Sequence, residues 1–279
     1  TISFTRTYDS AGNAMYYNTD LLDKYDANTF LDDDVVTIEE ILSLDGKLDE
    51  GQYAINNALI EWVTLANVVN AGGDISDEAG NPTINTDAMR SVVEQLKSVA
   101  DAGLMSPYGE DGYAMFQSGD VLFSTDGTWT STAHGSVEGL NFGVTNIYSV
   151  TPDKFTNRSS AHLFSLLNNE DRTDEKEQGV ADFLSWMREN SLDWAGAGQI
   201  VASKEVFESE EYQQYPQSFF TSSDVEKEAS YIFDYKYYSY VESALGTVLS
   251  DMIYGNITID EGLDQAQKTV EDLIAENAS

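Results

Sequence analysis

YAMFQSGDVLFSTDGTW, the stretch from Tyr113 to Trp129, predicts how the middle of this 279-residue chain folds. Its first half has apolar residues at helical spacing, which predicts a short amphipathic helix that ends at Gly119. The apolar run from Val121 to Phe123 predicts a short buried strand. The stretch therefore predicts a helix followed by a strand, a unit typical of α/β folds.

Trp129 follows this strand at the place where a binding residue would be expected. Asp126-Gly127 predicts a turn, which would put Trp129 just beyond the carboxyl end of the strand. In open α/β sheets, ligands bind at that end. A tryptophan beside an apolar strand is also commonly a packed core residue, so both interpretations stay open.

Three segments together carry a resemblance to a known family. The central stretch has the form F-x-x-G-x-V-x-F-x-x-x-G-x-W, and the others are AMYYNTDLL from Ala14 and YGNITIDEGL from Tyr254. In their order and spacing they resemble the extracellular solute-binding proteins (family 1) of bacterial ABC sugar importers, which are related to maltose-binding protein. The resemblance extends over nearly the whole chain and matches the later part of the family.

The resemblance implies a fold and a division of the chain. It implies an α/β, periplasmic-binding-protein-like fold of two lobes that lacks the N-terminal part of the first lobe. Residues 1–155 would form the second-lobe core, with the crossing between lobes near 150–160. Residues 160–215 would be the helical part of the first lobe, and residues 220–279 would return to the second lobe. Such a fragment would bind sugar more weakly than an intact protein.

Periodic apolar residues predict several helices outside the central stretch. Thr37 and Glu40 form a capping box, which predicts a helix start. The predicted helices are 59–71, 86–102, 175–190 and 260–275, and a further helix is predicted in the acidic and aromatic stretch 207–220, ending before Pro216.

The resemblance and the residue types suggest where a ligand would bind. Sugars stack on aromatic rings and hydrogen-bond to carboxylates, so aromatic and acidic side chains are the expected contacts. The candidates are Tyr8, Asp9, Glu61, Trp62, Asp126, Trp129, His162, Tyr237 and Tyr238. For each, a solvated turn or a packed side chain is the alternative, and a lone His such as His162 is more commonly structural.

Charge and composition exclude several other classes of protein. The chain has 14 Lys and Arg against 49 Asp and Glu, a formal net charge of -35, which makes nucleic acid a poor partner. It contains no cysteine, so it has neither disulfides nor thiolate metal sites. It begins at Thr1 without an initiator Met, a signal peptide or a lipobox, which is typical of a processed or cut N-terminus.

The sequence contains few of the residues and motifs that catalysis usually requires. It contains none of the motifs G-x-S-x-G, H-E-x-x-H, Walker A and G-x-G-x-x-G, and it has only two His. An acidic glycoside hydrolase with paired carboxylates is the alternative function, and a sensor or adhesion module is another. The resemblance implies a carbohydrate ligand and ABC permease subunits as partners, no cofactor and no metal. It also implies a monomer, either lipid-anchored at the outer cell surface in the full-length protein or periplasmic.

Overall fold

The computed structural model describes residues 2–7, 9–152, 154–167, 169–223 and 229–277, with side chains from residue 12 onward. The strands are β1 (Ile2–Thr7), β2 (Asp9–Asn18), β3 (Tyr53–Ile55), β4 (Val121–Gly127), β5 (Phe142–Thr145), β6 (Asn157–Ser160), β7 (Leu163–Leu167), β8 (Ile200–Val201) and β9 (Ser230–Tyr231). The α-helices are α1 (Thr19–Lys24), α2 (Ile38–Leu42), α3 (Ile60–Asn70), α4 (Asp87–Asp101), α5 (Gly112–Gln117), α6 (Ser131–Gly135), α7 (Asp174–Glu189), α8 (Ser191–Ala195), α9 (Lys204–Phe207), α10 (Phe219–Ser222), α11 (Tyr238–Ile253) and α12 (Ile259–Asn277).

Strand β2 organises the main sheet because it pairs with four other strands. Among the described residues the sheet has the order β3-β4-β2-β6-β9, with β5 and β8 also paired to β2. All four partners of β2 run antiparallel to it, whereas β3 pairs parallel with β4 and β6 pairs parallel with β9. A separate two-stranded antiparallel sheet joins β1 to β7. Strand β2 thus connects the region before residue 150 to the strands near residues 160 and 200.

Two apolar cores cover the two faces of this sheet. Successive side chains of a strand point to opposite faces, so Met15 packs in the larger core and Tyr16 in the smaller one. Helices α3, α4, α11 and α12 contribute buried residues to the larger core, against β3 and β4. The smaller core contains Phe116, Val144 and Phe220. Each fully buried large side chain contributes about 1.5–3 kcal/mol, which makes these cores the main source of stability.

The helix signals in the sequence are confirmed where they are strongest. Thr37 Oγ1 accepts a hydrogen bond from the Glu40 N–H at 3.2 Å, and Glu40 accepts one from the Thr37 N–H at 2.8 Å, so the capping box is formed. Thr86 caps α4 by accepting from the Met89 N–H at 3.2 Å. The predicted helices 59–71, 86–102, 175–190 and 260–275 agree with α3, α4, α7 and α12 to within one or two residues at each end.

Two local predictions are wrong because strand pairing overrides turn propensity. Asp126 and Gly127 do not form a turn: they extend β4, where they pair with Ala14 and Asn13 of β2. The residue types of the segment 9–13 also predict a turn between two extended runs, but this segment lies within β2. Long antiparallel neighbours keep these residues extended, since pairing with a neighbouring strand outweighs a weak local preference.

Two further differences concern the later part of the chain. The apolar residues from Ala161 to Leu167 predict a strand that includes His162, whereas β7 begins at Leu163 and His162 lies between β6 and β7. In place of the helix predicted to end before Pro216, the structure has α9 and a 3-10 turn, and a second 3-10 turn and α10 follow Tyr215. The predicted break before Pro216 is present, because Tyr215 takes an extended conformation with ψ of 143°.

Helix α7 has no fully buried residue. Phe183 and Trp186 on α7 are largely exposed, as are Leu163 and Leu167 on β7. This apolar surface is unusual for a helix with such clear periodicity, and it distinguishes residues 160–190 from the tightly packed elements before residue 150.

Candidate functional site

The indole rings of Trp62 and Trp129 meet although they lie far apart in the chain. Their centroids are 6.0 Å apart and their planes are inclined by 76°, an edge-to-face arrangement. Both residues are partly exposed. Two indoles at nearly a right angle form a corner, and their partly exposed surfaces can accept another flat or apolar face. We call this pair the tryptophan corner.

Close packing at two glycines and hydrogen bonds from Tyr16 hold the segment around Trp129 in place. A Cβ on Gly127 would lie 2.1 Å from the Trp129 ring, so the indole folds back over the glycine and no larger residue fits there. The Tyr16 hydroxyl donates to the Gly127 and Thr128 carbonyls at 3.0 and 3.1 Å. Gly198, with φ of +86°, approaches the backbone at Trp129 so closely that a Cβ would lie 2.8 Å from its Cα. These contacts fix the segment that carries the ring.

Trp62 lies in the first turn of α3, which begins after a residue with unusual backbone geometry. Leu59 has φ of 47° and ψ of 35°, a left-handed conformation that costs about 1–3 kcal/mol for a non-glycine residue. Its carbonyl nevertheless accepts hydrogen bonds from the Trp62 and Val63 N–H groups at 3.0 and 3.2 Å. The Trp62 indole Nε1–H donates to Glu242 Oε1 of α11 at 2.7 Å.

Arg158 of β6 links the tryptophan corner to α11. Its guanidinium carbon lies 4.0 Å from the centre of the Trp62 ring, which places a cation against the indole. Its Nε–H donates to the Tyr238 hydroxyl at 2.7 Å, and its Nη2 is 3.7 Å from Glu242 Oε2. The Arg158 side chain is only 12% exposed, so this charge is held in place by the ring, the phenol and the carboxylate together.

Glu61 adds a second carboxylate near Glu242. Burial raises the pKa of Glu61, and a hydrogen bond from its own backbone N–H opposes that rise. The negative charge of Glu242 raises the pKa further, while Arg158 lowers it. Two carboxylates therefore share one cation in this region, and the local charge is negative.

Asp126 is a buried carboxylate on the strand that leads to Trp129. The residue is 8% exposed, and burial raises its pKa to about 6. A hydrogen bond from the Gly127 N–H at 2.7 Å lowers the pKa, and the negative charge of Asp111 raises it slightly. The Asp126 charge acts on Tyr16 and Tyr113, whose pKa values burial also raises. Asp126 thus interacts with these two phenols.

We expect Asp126→Asn to stabilise the protein by about 3 kcal/mol at neutral pH. In the folded state the buried Asp126 carboxyl stays protonated up to pH about 6, whereas in the unfolded chain it ionises at its ordinary pKa. The protonated carboxyl therefore stabilises the folded state fully below that ordinary pKa, and this stabilisation is lost as the pH rises through about 6. Denaturant unfolding of both proteins at several pH values measures this. The gain in unfolding free energy of the variant should vanish near pH 4, and an equal gain at every pH would contradict this prediction.

The other predicted site residues are distributed unevenly. Tyr238 joins the site through Arg158, whereas Tyr237 stacks on Tyr240 with centroids 5.7 Å apart. His162 is exposed, with its ring 6.5 Å from that of Trp194. Tyr8 lies outside the described residues, as does the side chain of Asp9, whose backbone pairs with Val201.

Sequence reasoning missed Arg158 and Glu242. Neither belongs to a recognisable motif, and 84 residues separate them in the chain. The scarcity of cations was the one available signal, because an arginine within a strand of a chain with only 14 Lys and Arg merits attention.

The described residues contain neither a metal-binding cluster nor a membrane-spanning helix. No three acidic, His or Cys side chains within those ranges are arranged to hold a metal ion. None of the helices in the same ranges has the length and apolar composition required to cross a membrane.

Comparison with known proteins identifies the family. The family model described as bacterial extracellular solute-binding protein matches residues 7–221. The match covers more than half of the chain, so this protein belongs to the bacterial extracellular solute-binding proteins. No curated protein sequence matches it.

Solved structures show the two-lobe fold of maltose-binding proteins. The cyclic alpha-maltosyl-1,6-maltose binding protein of Arthrobacter globiformis is 16% identical, with a TM-score of 0.75, over 98% of this chain and 72% of its own. The MalE domain of Bdellovibrio bacteriovorus bound to maltotriose is 15% identical, with a TM-score of 0.75, over 98% and 73%. The substrate-binding protein Lmo0181 of Listeria monocytogenes in complex with cycloalternan is 15% identical, with a TM-score of 0.76, over 98% and 72%. The fold prediction is confirmed, and this chain is shorter than these structures.

Proposed function

We propose that this protein is the carbohydrate-binding component of an ABC import system and that its ligand is an oligosaccharide. The observation that supports this most directly is the tryptophan corner, where two indoles from different segments meet beside the carboxylates of Glu61 and Glu242. Pyranose rings stack on indole faces through their C–H groups, and carboxylates accept hydrogen bonds from sugar hydroxyls. The three structures described above carry sugar ligands or names that refer to sugars.

The expected free energies of stacking and hydrogen bonding are sufficient for micromolar affinity. Each stacked ring contributes on the order of 1 kcal/mol beyond burial, and each charge-assisted hydrogen bond contributes roughly 1.5–3 kcal/mol. Two rings and a few such bonds reach about -8 kcal/mol, which corresponds to micromolar dissociation. Capture proceeds by closure of two lobes on the sugar, because a ligand shifts this equilibrium only if it binds the closed state better than the open one. The closed form then docks on membrane permease subunits.

We propose the same division of the chain as the sequence predicts, with residues 1–155 and 220–279 in one lobe and 160–215 in the other. Packing supports it: α11 and α12 bury their apolar faces in the larger core with α3 and α4. Ala195, Val201 and Tyr212 belong to a separate small core. We also propose a monomer located outside the cell membrane or in the periplasm, lipid-anchored in the full-length protein.

A series of oligosaccharides tested by calorimetry and thermal shift, with chromatography of the sugar afterwards, tests this function. We expect binding, a raised melting temperature and unchanged sugar. Cleavage would favour a glycoside hydrolase, for which Asp126 is the best general acid because burial raises its pKa to about 6. Absence of binding across the series would contradict both functions.

We expect the site to discriminate against acidic sugars. Glu61 and Glu242 outnumber Arg158, so a uronate at the tryptophan corner meets net repulsion. An oligosaccharide that ends in a uronic acid should bind about tenfold more weakly than its neutral counterpart, or about 1.4 kcal/mol. Calorimetry of the matched pair measures the ratio.

Glu61→Gln is the matched variant for this ratio, since it removes one charge and keeps the shape. It should bring the two affinities closer together. Equal binding of both sugars by the parent protein, or an undiminished ratio in the variant, would contradict the charge-based discrimination.

A further inference from the structure

A cavity of about 420 Å³ opens beside Arg158, between β6 and the chain that follows β9. Its volume is within the range of small-molecule sites. The side chains that shape it are Arg158, Ser160, Leu163, Ile232, Phe233 and Tyr238. We call it the Ile232 cavity.

The wall of the Ile232 cavity is mostly apolar. The rings of Phe233 and Tyr238 stack, with centroids 5.3 Å apart and planes inclined by 25°. Ile232 is 66% exposed and Leu163 is 54% exposed, so two aliphatic side chains face open space at its rim. None of its described lining residues carries a carboxylate or an amide.

This chemistry differs from that of the tryptophan corner. A pyranose presents several hydroxyls, and each buried hydroxyl without a partner costs about 1–3 kcal/mol. The corner supplies the carboxylates of Glu61 and Glu242 for this purpose. The Ile232 cavity supplies only Arg158, the Tyr238 hydroxyl and two serine hydroxyls, so its wall suits an apolar group better than a bare sugar ring.

Arg158 separates the two regions and borders both. Its guanidinium lies against Trp62 and also 5.4 Å from the centre of the Tyr238 ring, while its side chain lines the cavity. Arg158 therefore belongs both to the tryptophan corner's surroundings and to the lining of the Ile232 cavity.

We propose that the Ile232 cavity is a second subsite, which takes an aromatic or aliphatic substituent on the saccharide held at the tryptophan corner. The ligand class is thus a glycoside with an apolar substituent. This inference rests on the proposed function. Its physical basis is the removal of apolar surface from water at Ile232, Leu163 and the Phe233 ring.

Calorimetry of the full chain with the methyl and phenyl glycosides of maltotriose tests the subsite. We expect the phenyl glycoside to bind about tenfold more tightly than the methyl glycoside, because the phenyl ring buries apolar area that the methyl group does not. Ile232→Ser should reduce this ratio to about threefold or less. Leu167→Ser is the matched control, because Leu167 is similarly exposed but lies outside the cavity, and it should keep the full ratio.

The outcomes separate the two proposals. Equal affinities for the two glycosides, or an unchanged ratio in Ile232→Ser, would overturn the second subsite and leave saccharide binding intact. Failure of both glycosides to bind, together with failure of the wider sugar series, would overturn the proposed function and the subsite with it.

Discussion

We expect replacement of Trp62 with alanine to weaken the proposed oligosaccharide binding by about 30-fold, because it removes about 2 kcal/mol of interaction at an aromatic anchor. The loss includes the stacking face and also the order of the site, because Trp62 donates to Glu242 and supports the Arg158 guanidinium. Trp129→Ala should have a similar effect. Isothermal titration with the tightest oligosaccharide measures both.

The double variant should lose less than the sum of the two single losses. The rings touch edge-to-face, so each single substitution already disturbs the other ring. Trp186→Ala is the matched control, since this tryptophan is 57% exposed on α7 and takes no part in the tryptophan corner. If Trp62→Ala is folded by circular dichroism and binds the oligosaccharide as tightly as the parent protein, the stacking model is contradicted.

The second large effect concerns acid stability and a buried histidine. His134 has no exposed surface, and burial lowers its pKa from 6.5 to about 4. Rings of Tyr16, Phe116, Tyr113 and Phe142 surround it at centroid distances of 4.7 to 5.8 Å. Neither imidazole nitrogen has a hydrogen-bond partner among the described residues.

A depressed histidine pKa predicts acid lability of a defined size. Its neutral form contributes fully above pH 6.5, and that contribution is lost as the pH falls towards 4, because the unfolded chain then binds the proton first. The loss amounts to about 3 kcal/mol. Tyr16 and Tyr113 are uncharged in this range, and Asp126, which acts on both, becomes neutral below pH about 6, so burial is the effect that determines the pKa of the imidazole.

Urea unfolding of the parent and His134→Phe across this pH range isolates the effect. The variant keeps a ring in the same apolar site and removes the titration, so the difference between the two proteins should grow by about 3 kcal/mol from neutral pH to pH 4. Neutralisation of the many surface carboxylates changes both proteins equally. A difference that stays constant with pH would show that His134 does not titrate between the two states in this range.

Local sequence patterns predicted the helices well because each carries its own information. The apolar periodicity of α3, α4 and α12 and the caps at Thr37 and Thr86 lie within a few residues of one another. The helix predicted before Pro216 is replaced by short turns, because the acidic side chains of Glu208, Glu210 and Glu211 lie close together in the chain and repel one another in a helix. The extended conformation of Asp126 and Gly127 depends on β2, more than 100 residues away.

The site was predicted in part. Trp62 and Trp129 were named from residue type and resemblance, and the structure brings them together. The sequence does not predict Arg158 and Glu242 as part of the site, since an ion pair between β6 and α11 has no local sequence pattern in either segment. The resemblance places His162 near the ligand, and in the structure this residue is exposed between β6 and β7, with its ring 6.5 Å from that of Trp194.

The sequence alone determined the composition of surface and core, the helix boundaries, the resemblance to solute-binding proteins and the two tryptophans available for stacking. These depend on residue type and on spacing over a few residues, which a single chain displays directly. The tertiary structure decided which side chains surround the indoles: the Arg158 cation, the Glu242 carboxylate and the cavity beyond them. Such neighbours are set by how β2, β6 and α11 pack, and contacts between distant segments have no local pattern to reveal them.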